Sequence, residues 1–259
     1  MEGELADIIS VGSITCTQRD SLRGKLQYFE RQVYGRAGKV IFRALDVGGR
    51  AVSGARKLGP GDVIAFRTIM RWVKETVPRA VAPLDDLPPL VLFTDGAEEG
   101  ELSNECVSCG ALIIDPVDNF RQTFGSLIPA ELVLEWKRLG GSKVIAQAEL
   151  LPVLLAKRLW GKRCFRRRVL CFVDNESAKY ACVKFDSASE PSRDILVALA
   201  GEELRVQSWT WYSRVSSFSN PADPASRLDL AVMLTKFGAA AVEVSMPKSL
   251  LNGEWRANV

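Results

Sequence analysis

A short pattern that occurs twice in the 259-residue chain constrains its fold more than any other feature. At residues 90–97, Leu-Val-Leu-Phe-Thr-Asp-Gly-Ala, a run of apolar residues leads into an acid and a glycine. This pattern predicts a buried strand that carries Asp95 at its C-terminal end, with a sharp turn at Gly96. A single Asp-Gly pair is also typical of an ordinary turn, so Asp95 alone leaves both interpretations open.

The same pattern returns at residues 169–175, Val-Leu-Cys-Phe-Val-Asp-Asn, and predicts a second buried strand that ends at Asp174. Open α/β sheets commonly place their chemistry at strand ends. If the two strands are adjacent and parallel, Asp95 and Asp174 lie side by side at one edge of the sheet. Two further isolated acids, Glu149 and Asp223, also lie beside apolar or small residues.

The remaining pattern predicts an α/β fold in which helices flank a mixed five-stranded sheet. The predicted strands lie at 90–95, 109–115, 120–127, 169–174 and 206–215, and the predicted helices lie at 129–139, from about 149, at 176–183, 191–204 and 228–237. Pro152 is best accommodated in a first helical turn, so the main helix is predicted to begin close to Glu149. A carboxylate at that place could instead be a structural helix cap.

Ahead of the sheet, amphipathic helices are predicted from Asp20 and over 62–75, followed by a proline-rich segment. We therefore expect three regions, namely a helical segment with its linker at 1–88, the sheet domain at 89–240 and a tail at 241–259. The helical segment is either a packing unit with a solvated basic face or a unit that touches a phosphate backbone.

The lack of histidine narrows the chemistry that the chain can perform. It excludes His-based triads and His-ligated zinc sites. Acid–base chemistry at neutral pH is left to carboxylates, lysines, tyrosines or metal-bound water. Cys106 and Cys109 have the spacing of a zinc knuckle, but no second pair follows closely, which favours ordinary strand cysteines.

Neither secretion nor membrane insertion is predicted. No apolar run is long enough to cross a bilayer, and the first residues lack a basic and an apolar segment. We therefore expect an intracellular protein, in the cytoplasm or nucleus, without a membrane partner. The net charge of +3 is small, so any nucleic-acid surface must come from local patches.

The four isolated acids would repel one another if they met, unless cations or protons neutralised them. They are Asp95, Glu149, Asp174 and Asp223. Carboxylate oxygens suit Mg²⁺ or Mn²⁺. Two such ions a few ångströms apart could clamp a phosphodiester, because one activates water and the other stabilises the leaving oxygen. This chemistry requires no histidine.

A basic run lies between the main helix and the strand that ends at Asp174. Its members are Lys157, Arg158, Lys162, Arg163, Arg166, Arg167 and Arg168, with Trp160 and Phe165 among them. Such a run is either a solvated face or an edge that grips a nucleic-acid backbone. Under the second interpretation, the candidate nucleic-acid contacts are Arg163, Arg166 and Arg167, together with Asn175.

These stretches together resemble the ribonuclease H domain of retrotransposon reverse transcriptases of the LTR or DIRS-like kind. The resemblance covers roughly residues 88–230 and is carried by Phe93-Thr94-Asp95-Gly96, Gln147-Ala148-Glu149-Leu150-Leu151, Phe172-Val173-Asp174-Asn175 and Asn220-Pro221-Ala222-Asp223-Pro224-Ala225-Ser226-Arg227. The last stretch is the most specific one. The resemblance implies a ribonuclease H-like fold and an endonuclease that cleaves the RNA strand of an RNA–DNA hybrid with two Mg²⁺ or Mn²⁺ ions. It also implies that the four acids are its catalytic, metal-binding residues.

Residues 22–38 are similar to the thumb or connection region that follows the polymerase palm in these enzymes. The resemblance therefore implies the C-terminal piece of a larger reverse transcriptase, with the polymerase part as a partner. The chain departs from the family in lacking a histidine near the last acid, which aids product release in many members, and in an apparent insertion at 129–139. Two alternatives stay open: a catalytically inactive retroelement remnant that binds nucleic acid, and the same fold with another reaction, as in other nucleases or integrases.

Overall fold

The computed structural model describes residues 1–29, 35–39, 54–75, 87–100, 106–247 and 250. Most of the predicted proline-rich linker, at 76–86, lies outside these ranges, as does most of the predicted tail. Among the described residues, no helix combines the length and the apolar character that a membrane span requires.

The N-terminal segment combines helices with a small two-stranded sheet. Its elements are α1 (Glu2–Val11), β1 (Ser13–Thr15), α2 (Cys16–Phe29), β2 (Ala55–Lys57) and α3 (Pro60–Glu75), with a 3₁₀ turn at Gly35–Gly38. The two predicted amphipathic helices are confirmed as α2 and α3, and both begin a few residues earlier than predicted. The sequence pattern did not predict α1, whose buried residues are Leu5 and Ile8, because two apolar positions make a weak periodic signal.

A mixed six-stranded sheet with helices on its faces forms the centre of the molecule and confirms the predicted fold class. Its strands are β3 (Leu90–Glu99), β4 (Cys106–Asp115), β5 (Phe120–Leu127), β6 (Arg168–Val173), β7 (Trp209–Arg214) and β8 (Ala240–Ala241), in the spatial order β7-β6-β3-β4-β5-β8. β3, β4 and β5 form the predicted antiparallel meander, and β6 and β7 extend the sheet in parallel on the other side of β3. The two-residue β8 is the sixth strand, which the sequence pattern did not predict.

Helices cover both faces of this sheet. They are α4 (Ala130–Gly140), α5 (Ile145–Leu159), α6 (Gly161–Cys164), α7 (Glu176–Lys184), α8 (Glu190–Val206), α9 (Asp223–Ser226) and α10 (Leu230–Phe237). Ala111 and Ile113 of β4 belong to the main core, whereas Leu112 packs on the other face with Ala225 and Met233. Successive side chains of a strand point to opposite faces, so this alternation shows that β4 is buried on both sides.

Helix α5 begins earlier than the sequence indicated. It starts at Ile145, so the prediction of a start near Glu149 is wrong, and Pro152 lies in the helix interior. Every residue from Gln147 to Lys157 is buried. This burial offsets the roughly 3 kcal/mol that an interior proline costs. Glu149 lies beyond the first turn, which excludes the alternative that it is a structural helix cap.

Candidate functional site

Three carboxylates from different elements converge at the C-terminal end of β6. Asp95 lies on β3, Glu149 lies on α5, and Asp174 directly follows β6. Each residue offers one oxygen, and these three oxygens all lie within 4.8 Å of one another. The parallel pairing of Thr94 with Val173 brings Asp95 and Asp174 to neighbouring positions, as the repeated sequence pattern predicted.

Glu149 reaches this cluster because α5 packs directly on β3 at Gly96. A Cβ atom on Gly96 would lie 2.5 Å from the backbone carbon of Ala148 and 2.7 Å from the backbone nitrogen of Glu149. A side chain at this position would therefore push the helix and the strand apart. The Gly96 N–H also lies close to the Glu149 carboxylate and opposes the rise of its pKa. The predicted sharp turn at Gly96 is wrong, because β3 continues through it to Glu99 and pairs Gly96 with Cys109.

Burial and repulsion between carboxylates raise the pKa values of Asp95 and Glu149. Burial raises the pKa of Asp95 to about 6, although a hydrogen bond from Ser226 opposes this rise. Repulsion from Asp223 and Asp174 adds to the raised pKa of Asp95. Burial raises the pKa of Glu149 to about 9, and repulsion from Asp95 and Asp174 adds to it. At neutral pH the cluster therefore favours the binding of protons or cations.

The second oxygen of Glu149 is an unsatisfied acceptor. Glu149 is 4% exposed, and its Oε2 is buried without a hydrogen-bond partner in the part of the chain that the structure describes. A buried carboxylate oxygen without a donor or a cation is costly. Carboxylates are also the donors that Mg²⁺ and Mn²⁺ prefer. The residues present therefore fit a divalent cation of this kind.

Asp223 lies beside this cluster but outside the group of three. It opens α9, and it lies close enough to Asp95 to raise the pKa of that residue. Its Oδ1 accepts a hydrogen bond from Arg227 Nε at 3.1 Å, and Arg227 also forms an ion pair with Glu99. The four predicted acids thus share one region of the structure, with the fourth acid paired to an arginine.

Two polar residues to which the sequence analysis assigned no role contact Asp95. Asn220 Nδ2 donates to Asp95 Oδ1 at 3.0 Å, and the Ser226 hydroxyl donates to Asp95 Oδ2 at 2.5 Å. Both residues are buried around α9. This turn packs so closely on the sheet that a Cβ atom on Gly110 would clash with the backbone of Ala225. The signal that could have identified both residues was their place in the most specific stretch of the resemblance.

Two of the candidate arginines lie at the opposite end of β6 from the acids. Arg167 precedes β6 and Asp174 follows it, and a six-residue strand spans about 20 Å. Arg163 forms ion pairs with Asp115 at 2.8 Å and with Asp118 at 2.9 Å, and Arg167 pairs with Asp115 at 3.3 Å. The structure therefore does not bring these two arginines to the acid cluster, and local carboxylates neutralise much of their charge.

The basic run is also divided by burial. Lys157 is fully buried and forms an ion pair with Glu203 at 3.1 Å, so its charge does not contribute to a surface patch. Arg166 is exposed and donates from Nε to Gln207 Oε1 at 3.0 Å. It also precedes β6 and lies at the same end of the strand as Arg167. The seven basic residues therefore do not form one continuous surface.

Asn175 is the one of the four predicted nucleic-acid contacts that adjoins an acid of the cluster. It directly follows Asp174 in the chain and is the N-cap residue of α7. Its side chain accepts a hydrogen bond from the Ala178 N–H at 3.0 Å. The amide NH₂ group of Asn175 can still donate to a ligand while its oxygen caps the helix.

Cys106 and Cys109 do not form a zinc pair. Cys106 is exposed at the start of β4, whereas Cys109 is buried. Residues three apart on a strand point to opposite faces, so the two thiols cannot converge on one ion. The interpretation as ordinary strand cysteines is confirmed.

Comparison with known proteins yields similarity to solved structures. No protein-family model and no curated protein matches the chain. RNase H1 from the halophilic archaeon Halobacterium salinarum is similar at 16% identity and a TM-score of 0.40, over 56% of this chain and 98% of that one. LC9-RNase H1, a type 1 RNase H with the type 2 active-site motif, is similar at 10% identity and a TM-score of 0.43, over 64% of this chain and 92% of that one. LC11-RNase H1, solved in complex with an RNA/DNA hybrid, is similar at 13% identity and a TM-score of 0.39, over 56% of this chain and 99% of that one.

Proposed function

We propose that this protein is a divalent-metal-dependent endonuclease of the ribonuclease H type, which hydrolyses the RNA strand of an RNA–DNA hybrid. The observation that carries the proposal is the convergence of Asp95, Glu149 and Asp174 within 4.8 Å, with the buried Glu149 Oε2 lacking a partner among the described residues. The parallel pairing of β3 with β6 supports the resemblance to ribonuclease H domains, because it joins the two strands that carry matching motifs.

The chain supplies fixed negative charge for this reaction. In the proposal, Asp95, Glu149 and Asp174 hold a first cation, and Asp223 contributes to a second. Two bound Mg²⁺ or Mn²⁺ ions would activate a water nucleophile and stabilise the leaving oxygen of the phosphodiester. Asp95 and Glu149 are buried, so their charge acts in a medium of low dielectric constant and attracts cations strongly. The nearby Gly96 N–H favours the charged form of Glu149.

The choice of an RNA–DNA hybrid rests on the resemblance. A ribonuclease H must recognise 2′-hydroxyl groups on one strand and accept DNA on the other. Asn175 adjoins the acids and is the proposed contact near the reacting phosphate, whereas Arg163, Arg166 and Arg167 would contact the backbone about 20 Å away. We also propose that the chain is the C-terminal part of a retroelement reverse transcriptase and that the polymerase part is its partner, because the stretch from Asn220 to Arg227 matches retroelement versions most specifically.

Cleavage of a labelled RNA–DNA hybrid tests the proposal. The assay compares Mg²⁺, Mn²⁺ and a chelator, and it includes double-stranded DNA and double-stranded RNA as substrates. Asp174→Asn is the diagnostic variant, because it removes one ligand charge and keeps the shape of the side chain. We expect metal-dependent cutting of the RNA strand of the hybrid alone, and its loss in the variant. Cutting of double-stranded DNA would instead favour the same fold with another nuclease reaction.

One observation favours the alternative of an inactive nucleic-acid-binding remnant. Asp223 is engaged by Arg227, which is itself anchored to Glu99, and a second cation would have to compete with this arginine. In that alternative, folded protein binds the hybrid without cutting it at any metal concentration. Hybrid binding and cleavage measured on the same samples separate the two functions.

A further inference from the structure

We propose that Asn220 and Ser226 are positioning residues that hold the Asp95 carboxylate in the orientation in which it shares a cation with Glu149 and Asp174. The inference rests on the proposed function, because it assigns these residues to the same metal site. It adds to the four acids the two side chains that orient Asp95.

Asn220 commits both of its amide hydrogens and one bond of its side-chain oxygen to this arrangement. Its Nδ2 donates one hydrogen to Asp95 Oδ1 at 3.0 Å and the other to the Thr94 carbonyl at 3.1 Å. Its Oδ1 accepts a hydrogen bond from the Ala222 N–H at 3.1 Å. An amide offers two donor hydrogens, so the three bonds fix both the rotation of the Asn220 amide and its distance from Asp95.

Ser226 holds the other oxygen of the same carboxylate. Its hydroxyl lies 2.5 Å from Asp95 Oδ2 and 2.8 Å from the backbone oxygen of Asp223. A hydroxyl has one proton to donate, and an ionised carboxylate is the stronger acceptor. The proton of Ser226 therefore goes to Asp95 when Asp95 is charged. Each oxygen of Asp95 then has one donor and keeps a second lone pair for a cation.

Contacts with the sheet hold the turn around α9 in place, and with it the two donors to Asp95. The Ser108 hydroxyl donates to the Ser226 carbonyl at 2.6 Å, and α9 rests on the sheet at Gly110, where a Cβ atom would clash with Ala225. Asn220 and Ser226 are 5% and 0% exposed, so water does not readily replace them as donors. Groups that hydrogen-bond to metal ligands typically change metal affinity or activity about 10- to 100-fold when they are removed.

Mn²⁺ binding to the free protein, measured by calorimetry, tests the inference without using activity. We expect Ser226→Ala and Asn220→Ala each to weaken Mn²⁺ binding about 10-fold or more. Thr123→Ala is the matched control, because Thr123 is another buried hydroxyl, whose hydrogen bond goes to the backbone oxygen of Ala111 at 2.8 Å. The control should lose stability in denaturant unfolding and keep the Mn²⁺ affinity of the wild type.

The possible outcomes separate this inference from the function on which it rests. Wild-type Mn²⁺ affinity in both Ser226→Ala and Asn220→Ala would overturn the positioning role and leave the metal site intact. An equal loss of affinity in Thr123→Ala would also overturn it, because the effect would then follow from stability alone. A wild-type protein that binds no Mn²⁺ would remove the proposed metal site itself and the positioning role with it.

Discussion

Replacing Gly96 with alanine tests whether the close contact between β3 and α5 shapes the proposed metal site. The added Cβ would lie 2.5 Å from the Ala148 backbone carbon, whereas ordinary contact begins at 3.4 Å, so the helix or the strand must move by about 0.9 Å. The three nearest atoms, the Ala148 carbon and oxygen and the Glu149 nitrogen, all belong to the backbone, so no side chain can rotate away to relieve the clash. Glu149 moves with the helix, because its own nitrogen is one of the clashing atoms.

The magnitude of the effect follows from this displacement. Metal–ligand distances tolerate changes of only about 0.2 Å, so a shift several times larger separates Glu149 from a cation that Asp95 and Asp174 still hold. We expect Gly96→Ala to weaken Mn²⁺ binding at least about 10-fold. Overpacking of this kind costs about 1–3 kcal/mol of stability, which a domain of ordinary stability survives.

Gly201→Ala is the matched control for this experiment. Gly201 lies within α8, and among the described residues no heavy atom other than its chain neighbours and the adjacent helix backbone lies within 4 Å of the position of its Cβ. An alanine there replaces a poor helix former and should stabilise the protein by up to about 1 kcal/mol. Its Mn²⁺ affinity should stay at the wild-type value.

Calorimetric Mn²⁺ titration and urea unfolding of both variants provide the measurement. The reasoning is refuted if Gly96→Ala binds Mn²⁺ as the wild type does and loses less than about 0.5 kcal/mol of stability. A loss of stability without a loss of affinity would contradict the link between this contact and the metal site, because Asp95 on β3 and Glu149 on α5 would both keep their positions toward the cation.

Mn²⁺ at 100 times its dissociation constant should raise the free energy of unfolding of the wild type by about 2.7 kcal/mol, and that of Asp174→Asn far less; melting curves with and without chelator check this. In metal-free protein, burial raises the pKa of Glu149 to about 9, so the folded state binds the Glu149 proton more tightly than the unfolded state does. The stability that this tighter proton binding contributes is lost as pH rises from the ordinary carboxyl range to about 9. Glu149→Gln should therefore gain stability relative to the wild type across that window in denaturant unfolding, and parallel pH curves would contradict the assignment. Lys157→Met should cost about 3–5 kcal/mol, because it leaves the buried Glu203 without its ion-pair partner; a smaller loss in the double variant that also carries Glu203→Gln would support this reason. Arg166→Glu should weaken hybrid binding and reduce its salt slope by about 1 if Arg166 contacts a phosphate, and an unchanged slope would remove it from the interface.

The two strands that carry Asp95 and Asp174 were predictable because their pattern is local. Each strand contains a run of apolar residues that leads to an acid within one or two positions, and parallel pairing of two such runs places the acids together. The start of α5 was not predictable from Pro152, since the cost of an interior proline is offset by burial that only the assembled sheet provides. The two residues of β8 carry too little pattern to indicate a strand.

The basic run shows what a local sequence pattern does not predict, namely the partners of a charged side chain. Its charges are evident in the sequence, but the carboxylates that neutralise Arg163 lie 48 and 45 positions away, at Asp115 and Asp118. Asn220 and Ser226 illustrate the same limit for the site, because their contacts to Asp95 span 125 and 131 positions. Long-range partners of this kind depend on topology, which residue type and local spacing do not encode.

The order in which the chain is synthesised gives the turn around α9 a further consequence. The five long strands, β3 to β7, are all complete at Arg214, whereas both donors to Asp95 follow later in the chain. A nascent chain that has emerged as far as Arg214 therefore contains every long strand of the sheet. Asp95 at that stage lacks the Asn220 and Ser226 side chains that donate to it. The full set of contacts around Asp95 would then form only after residue 226 has left the ribosome, as a step that is separate in time from the assembly of the sheet.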